Sequence, residues 1–103
     1  MRYFLVLLLI MALPQHAAAD SIKRGRLLVQ RNCSRCHAIG RHDESKHPQA
    51  PPFRQVMKVY PAEDLSEALG EGLVTGHPDM PEFKFPPRDV GAIVDYLHTL
   101  ETP

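Results

Sequence analysis

The sequence predicts an all-α domain of about four helices. Three observations carry this. Four segments place apolar residues three and four apart. Three of those segments begin at a recognisable helix-start signal. Nowhere do apolar and polar residues alternate over a strand's length on either side of a hairpin turn. Length sets the scale. At 103 residues the chain makes one small domain, which excludes a large α/β enzyme fold or a multi-domain protein.

A leader comes first. Arg2 precedes an apolar run from Tyr3 to Leu13, followed by Pro14-Gln15-His16 and Ala17-Ala18-Ala19. A basic start, a short apolar stretch and a small-residue cleavage site read as a secretory signal peptide over residues 1–19. The run has 11 residues, against the roughly 20 a membrane-spanning helix needs, so no stable membrane insertion is expected. Cleavage after Ala19 leaves residues 20–103 as the single domain, 84 residues long. So short a chain buries a thin core and commonly needs a disulfide, metal or cofactor.

The first helix is expected from about Ser21 to Cys33, with Asp20 or Ser21 as its N-cap. Ile22, Gly25, Leu28, Val29, Asn32 and Cys36 share one face, and Lys23, Arg24, Arg26, Gln30 and Arg31 fill the rest. A loop rich in Gly, His and Pro follows from Ala38 to Pro52. A short helix covers Phe53 to Val59, where Phe53, Val56, Met57 and Tyr60 form a stripe. Pro61 opens a third helix, with Glu63 and Asp64 favourably placed at the positive end of its dipole. Leu65, Ala68 and Leu69 form its stripe, and Gly70 and Gly72 stop it. Leu73 to Pro86 make a second loop. Pro87 opens the last helix, whose buried stripe is Val90, Ile93, Val94, Leu97 and Leu100, with Tyr96 beside it.

Charge is balanced but uneven. Without the leader, 11 basic residues face 12 acidic ones, and no nucleic-acid footprint is expected from that total. Residues 20–60 carry a net +6 and residues 61–103 a net −7. The two halves predict either oppositely charged solvated surfaces or a dipolar molecule that docks partners in a preferred orientation.

The chemistry lies in Cys33-Ser34-Arg35-Cys36-His37. An exported chain meets an oxidising compartment, but a disulfide across a two-residue gap would constrain the unfolded chain very little. Zinc would need four Cys or His ligands; His42 and His47 are the next candidates, and there is no second Cys-x-x-Cys. A thioredoxin-like pair expects a βαβ context, which is absent, and leaves His37 unexplained. Cys-x-x-Cys-His is the attachment pattern of c-type haem. Two thiols three residues apart at a helix end reach two vinyl groups on one side of a porphyrin, and the next histidine meets the iron. One covalent haem c with its iron is therefore the expected cofactor, held by Cys33, Cys36 and His37.

A second axial position remains. Outside the leader the methionines are Met57 and Met80. Met57 sits on a helical stripe and reads as core. Met80 lies between Pro78 and Pro81, where prolines stiffen the backbone and no helix buries its side chain. Met80 is the first candidate for the sixth ligand and His77 its rival. His42, His47 and His98 read as ordinary surface residues.

With these residues in view, the domain resembles the small single-haem class I cytochromes c of bacteria. Gly25 and Tyr96 stand where that family packs a glycine of the first helix against an aromatic of the last. Pro51, with Phe53 two residues on, resembles the family's proline whose carbonyl accepts a hydrogen bond from the proximal histidine. Thr75 to Phe83 resembles its methionine loop. Many relatives use a Trp near a haem propionate and this chain has none; Arg41, Arg54, Lys58 and Tyr60 are the candidates in its place.

The resemblance implies a soluble, monomeric, periplasmic electron carrier that is not an enzyme, cycling Fe(III)/Fe(II) with His37 and Met80 as axial ligands. Redox partners would dock transiently. Two other classes fit the same motif: a haem sensor or catalytic module with a labile sixth site binding a gas or peroxide, and a haem subunit of a membrane-associated oxidoreductase complex.

Overall fold

The computed structural model describes residues 13–101, so most of the expected signal peptide lies outside the described residues. Four α-helices and one 3-10 turn follow in order: α1 (Leu13–Cys33), α2 (Phe53–Val59), the 3-10 turn (Ala62–Leu65), α3 (Ser66–Glu71) and α4 (Pro87–His98). Among the described residues the one β feature is an isolated antiparallel bridge between Leu73 and Phe83. The all-α class holds, and so does the count of four helices among the described residues.

α1 begins eight residues before Ser21. The alanines at 17–19 are the best helix formers and carry the helix through the expected cap. Ser21 is engaged elsewhere: its hydroxyl donates to Asp95 Oδ2 at 2.5 Å. That bond and an Arg24–Asp89 ion pair at 2.6 Å tie α1 to α4.

These two helices form the body of the fold. Gly25 and Val29 of α1 are buried against Val90, Ile93, Val94, Tyr96 and Leu97 of α4. Gly25 is the contact point. A Cβ there would lie 1.8 Å from the Ala92 carbonyl oxygen and 2.9 Å from Tyr96 Cβ. The helices meet backbone to backbone, which a glycine permits.

The third expected helix divides in two. Pro61 has extended backbone and caps the 3-10 turn from outside. Gly70 lies inside α3 rather than ending it. Gly72, at φ 130°, closes α3 and donates its amide to the Ala68 carbonyl at 2.9 Å. That φ is one that glycine adopts without strain. The stripe of α2 is also shorter than its spacing implies. Met57 is buried, but Tyr60 caps the seven-residue helix with extended backbone and is 54% exposed.

The core gathers Val29, Met57, Ala62, Leu69 and the inward face of α4. Around it Cys33, Ile39, Phe53, Val56, Leu65, Leu73 and Phe85 pack on one side only and remain half-buried. Among the described residues no helix is long and apolar enough to cross a membrane.

Candidate haem-binding site

α1 ends in a tight turn that gathers the motif. The amides of Cys36 and His37 both donate to the Cys33 carbonyl, at 3.2 and 2.9 Å. Asn32 Nδ2 and Ser34 Oγ donate to the Leu28 and Gln30 carbonyls at 2.8 and 2.5 Å, the second of these being an acceptor the helix end leaves open. Both cysteines are free thiols and half-buried. Burial pushes the Cys33 thiol up to about 11. A thioredoxin-type nucleophile is held by the opposite shift.

His37 is fixed from two sides. Its Nδ1–H donates to the Pro51 carbonyl at 2.7 Å. A carbonyl can only accept, so Nδ1 carries the hydrogen, and in the neutral imidazole the lone pair then lies on Nε2. Phe53 stacks on the imidazole with ring centroids 4.7 Å apart and planes at 28°. An imidazole held this way, with the far nitrogen open, is the arrangement of a metal-ligating histidine and the partner that orients it.

The loop from Ala38 to Pro52 is held by its own polar groups. The amides of Ile39 and Gly40 donate to Asp43 at 3.1 and 2.9 Å, and Ser45 Oγ accepts from Ala38 at 2.9 Å. Arg54 donates to the Asp43 carbonyl at 2.6 Å and pairs with the Asp43 carboxylate at 3.6 Å. Tyr96 OH donates to the Ile39 carbonyl, and Arg41 to the Thr99 carbonyl. Of the four propionate candidates, Arg41 and Arg54 thus already serve backbone carbonyls, and Lys58 and Tyr60 are exposed. Sequence reasoning missed Asp43 as the organiser of this loop and the bond from Tyr96. The second had a signal: a buried tyrosine hydroxyl needs a partner.

Met80 stands in a separate loop closed at its base by the bridge from the Leu73 amide to the Phe83 carbonyl at 2.8 Å. It is half-buried, and its amide donates to the His77 carbonyl at 3.2 Å. Met57 is 6% exposed in the core. The structure therefore brings Cys33, Cys36, His37 and Pro51 together at one turn. Met80 connects to them through side chains of the two loops, His47 to Asp79 and Gln49 to His77.

The donor set fits haem c: two free thiols three residues apart, one oriented imidazole with Nε2 open, and a half-buried apolar collar beside them. No curated protein and no solved structure matches the chain. The family model described as cytochrome C oxidase, cbb3-type, subunit III matches residues 20–97, more than half of the chain. The chain belongs to this family of small c-type cytochrome domains, whose cofactor is covalently bound haem c with its iron and whose work is haem-based electron transfer.

Proposed function

We propose that the chain is an exported electron-transfer protein carrying one haem c with His37 and Met80 as its axial ligands. Bound haem c supplies a one-electron Fe(III)/Fe(II) couple. Cys33 and Cys36 would hold the haem through two thioether bonds, one from each sulfur to a vinyl-derived carbon of the porphyrin. The Pro51 carbonyl draws on the His37 Nδ1–H and so makes Nε2 a stronger donor, while Phe53 keeps the ring from rotating.

The observation that carries this reading is the single hydrogen bond that fixes the His37 tautomer. Two features support Met80 over His77 at the sixth position. Met80 is a half-buried thioether in a proline-bracketed loop. His77 has both ring nitrogens engaged, Nδ1 by the Asp79 amide and Nε2 by Gln49. With both axial positions supplied by the chain, no site remains for a substrate. An absorption spectrum of the purified protein tests the reading. A c-type reduced spectrum with a weak long-wavelength Met–iron band when oxidised supports it; a high-spin oxidised spectrum overturns it.

The family's own description favours a second reading, a haem subunit docked permanently in an oxidase. Fractionation separates the two. A free carrier elutes alone from gel filtration of the soluble fraction, and a docked subunit stays with the membrane complex.

A further inference from the structure

The sequence repeats a short pattern that the electron-transfer reading does not absorb: His47-Pro48-Gln49 in the loop after the attachment turn, and His77-Pro78-Asp79 in the methionine loop. We propose that these two tripeptides form a reciprocal latch that positions Met80 and sets how firmly the sixth site stays closed. The proposal rests on Met80 being the axial ligand.

Each tripeptide does the same two things. Within its own loop, the histidine Nδ1 accepts the backbone N–H two residues on: Gln49 to His47 at 3.1 Å, Asp79 to His77 at 3.2 Å. A backbone N–H only donates, so in both rings Nδ1 is the acceptor and Nε2 carries the hydrogen. Across the gap, each Nε2–H then meets an oxygen from the other tripeptide. His47 donates to Asp79 Oδ2 at 3.1 Å, and His77 donates to Gln49 Oε1. The third residue of each pattern thus fixes its own histidine through the backbone and receives the opposite histidine through its side chain. The intervening proline restricts the backbone between them. The two rings complete the pair edge to face, centroids 5.6 Å apart at 89°.

Both ends are anchored where the chemistry is. The His47 amide donates to the Cys36 carbonyl at 3.1 Å, and the His77 carbonyl accepts the Met80 amide at 3.2 Å. A continuous path of bonds therefore runs from the attachment turn to the methionine. Breaking the latch frees the Met80 loop to swing off the sixth position while Cys33, Cys36 and His37 are untouched. His47, Gln49, His77 and Asp79 act through Met80, as positioning residues.

The test is imidazole binding to the oxidised holoprotein, read from the shift of the main haem absorption band, with loss of the Met–iron band as a second readout in the variants that keep Met80. Gln49→Ala and His47→Ala should each bind imidazole about fivefold tighter than wild type, the effect of one net hydrogen bond. The double variant should gain less than the product of the two, because either break lets the loops part. His47→Gln, whose amide can still donate to Asp79, should recover part of the wild-type affinity. Glu63→Ala, in the 3-10 turn where it pairs with His98, should match wild type. Gln49 is exposed and outside the core, so its variant retains a folded holoprotein. Wild-type imidazole affinity in Gln49→Ala and His47→Ala, alongside a Met80→Ala variant that binds imidazole far more tightly, overturns the latch alone. A Met80→Ala variant that binds imidazole no better than wild type overturns the ligand assignment, and the latch with it.

Discussion

Replacing Gly25 by alanine puts a methyl carbon 1.8 Å from the Ala92 carbonyl oxygen, where ordinary contact begins at 3.4 Å. The overlap is 1.6 Å against backbone, which no side-chain rotation relieves. α1 and α4 must separate by a comparable amount at their crossing. A gap of 0.5–1 Å already forfeits roughly a quarter to a half of a contact's attraction, and Val29, Ile93, Tyr96 and Leu97 all lie in this interface. Overpacking of this kind costs about 1–3 kcal/mol, and a backbone clash belongs at the upper end. Relief of the helical glycine returns only about 0.5–1 kcal/mol. The net expectation is a loss of about 2 kcal/mol, or roughly 8–16 °C in Tm for a domain of this size. Gly91 provides the counterpart on α4. It is exposed, and a Cβ built on it meets nothing within 4 Å, so Gly91→Ala should stabilise by about 0.5–1 kcal/mol. Denaturant midpoints of the two holoproteins, followed by far-UV circular dichroism, should move in opposite directions. A Gly25→Ala midpoint at or above wild type would refute the backbone contact.

Three further expectations follow from the same geometry. Cys33→Ala and Cys36→Ala should each leave haem on one thioether or none, so that exported holoprotein is scarce; normal yields of non-extractable haem from both variants would exclude attachment at this turn. Met57→Leu conserves core volume and should cost under about 1.5 kcal/mol, with the oxidised spectrum unchanged; loss of the Met–iron band would make Met57 the ligand. His98 meets a carboxylate at each ring nitrogen, Glu63 at 2.6 Å and Glu101 at 2.9 Å. Carboxylates only accept, so both nitrogens carry hydrogens, and the Glu101 hydrogen bond holds the imidazolium above its ordinary 6.5. A raised folded-state value contributes stability that is complete below 6.5 and lost as pH climbs through the folded value. The denaturant midpoint should therefore fall as pH rises above 6.5, and His98→Gln should flatten that slope; an equal slope in the variant would show that His98 is not its source.

Helix spacing made α2 and the last helix legible, because each buries one face on a common core and a 3-4 stripe is what such burial requires. The crossing at Gly25 was legible for a related reason: a glycine on an apolar helical face lacks a purpose unless another backbone approaches. Boundaries set by tertiary contacts were not. Ser21 reads as a cap until Asp95, 74 residues away, takes its hydroxyl. Pro61 reads as a first helical residue until the backbone turns extended there. At the site, the Cys-x-x-Cys-His spacing is local chemistry and reads directly. Asp43 and the pairing of His47 with Asp79 are contacts between loops, and loops carry no period. His47 accordingly reads as an ordinary surface residue. The His-Pro repeat was the available signal, and its meaning depends on the two loops lying side by side.

The most direct test of the central claim is carbon monoxide titration of the reduced wild-type protein at neutral pH, with the oxidised spectrum recorded from the same sample. His37 and Met80 filling both axial positions predicts a Met–iron band when oxidised and negligible carbon monoxide binding when reduced, with Met80→Ala losing the first and gaining the second. Ready carbon monoxide binding by wild type, with no Met–iron band, would contradict the account and make the chain a haem module with an open sixth site.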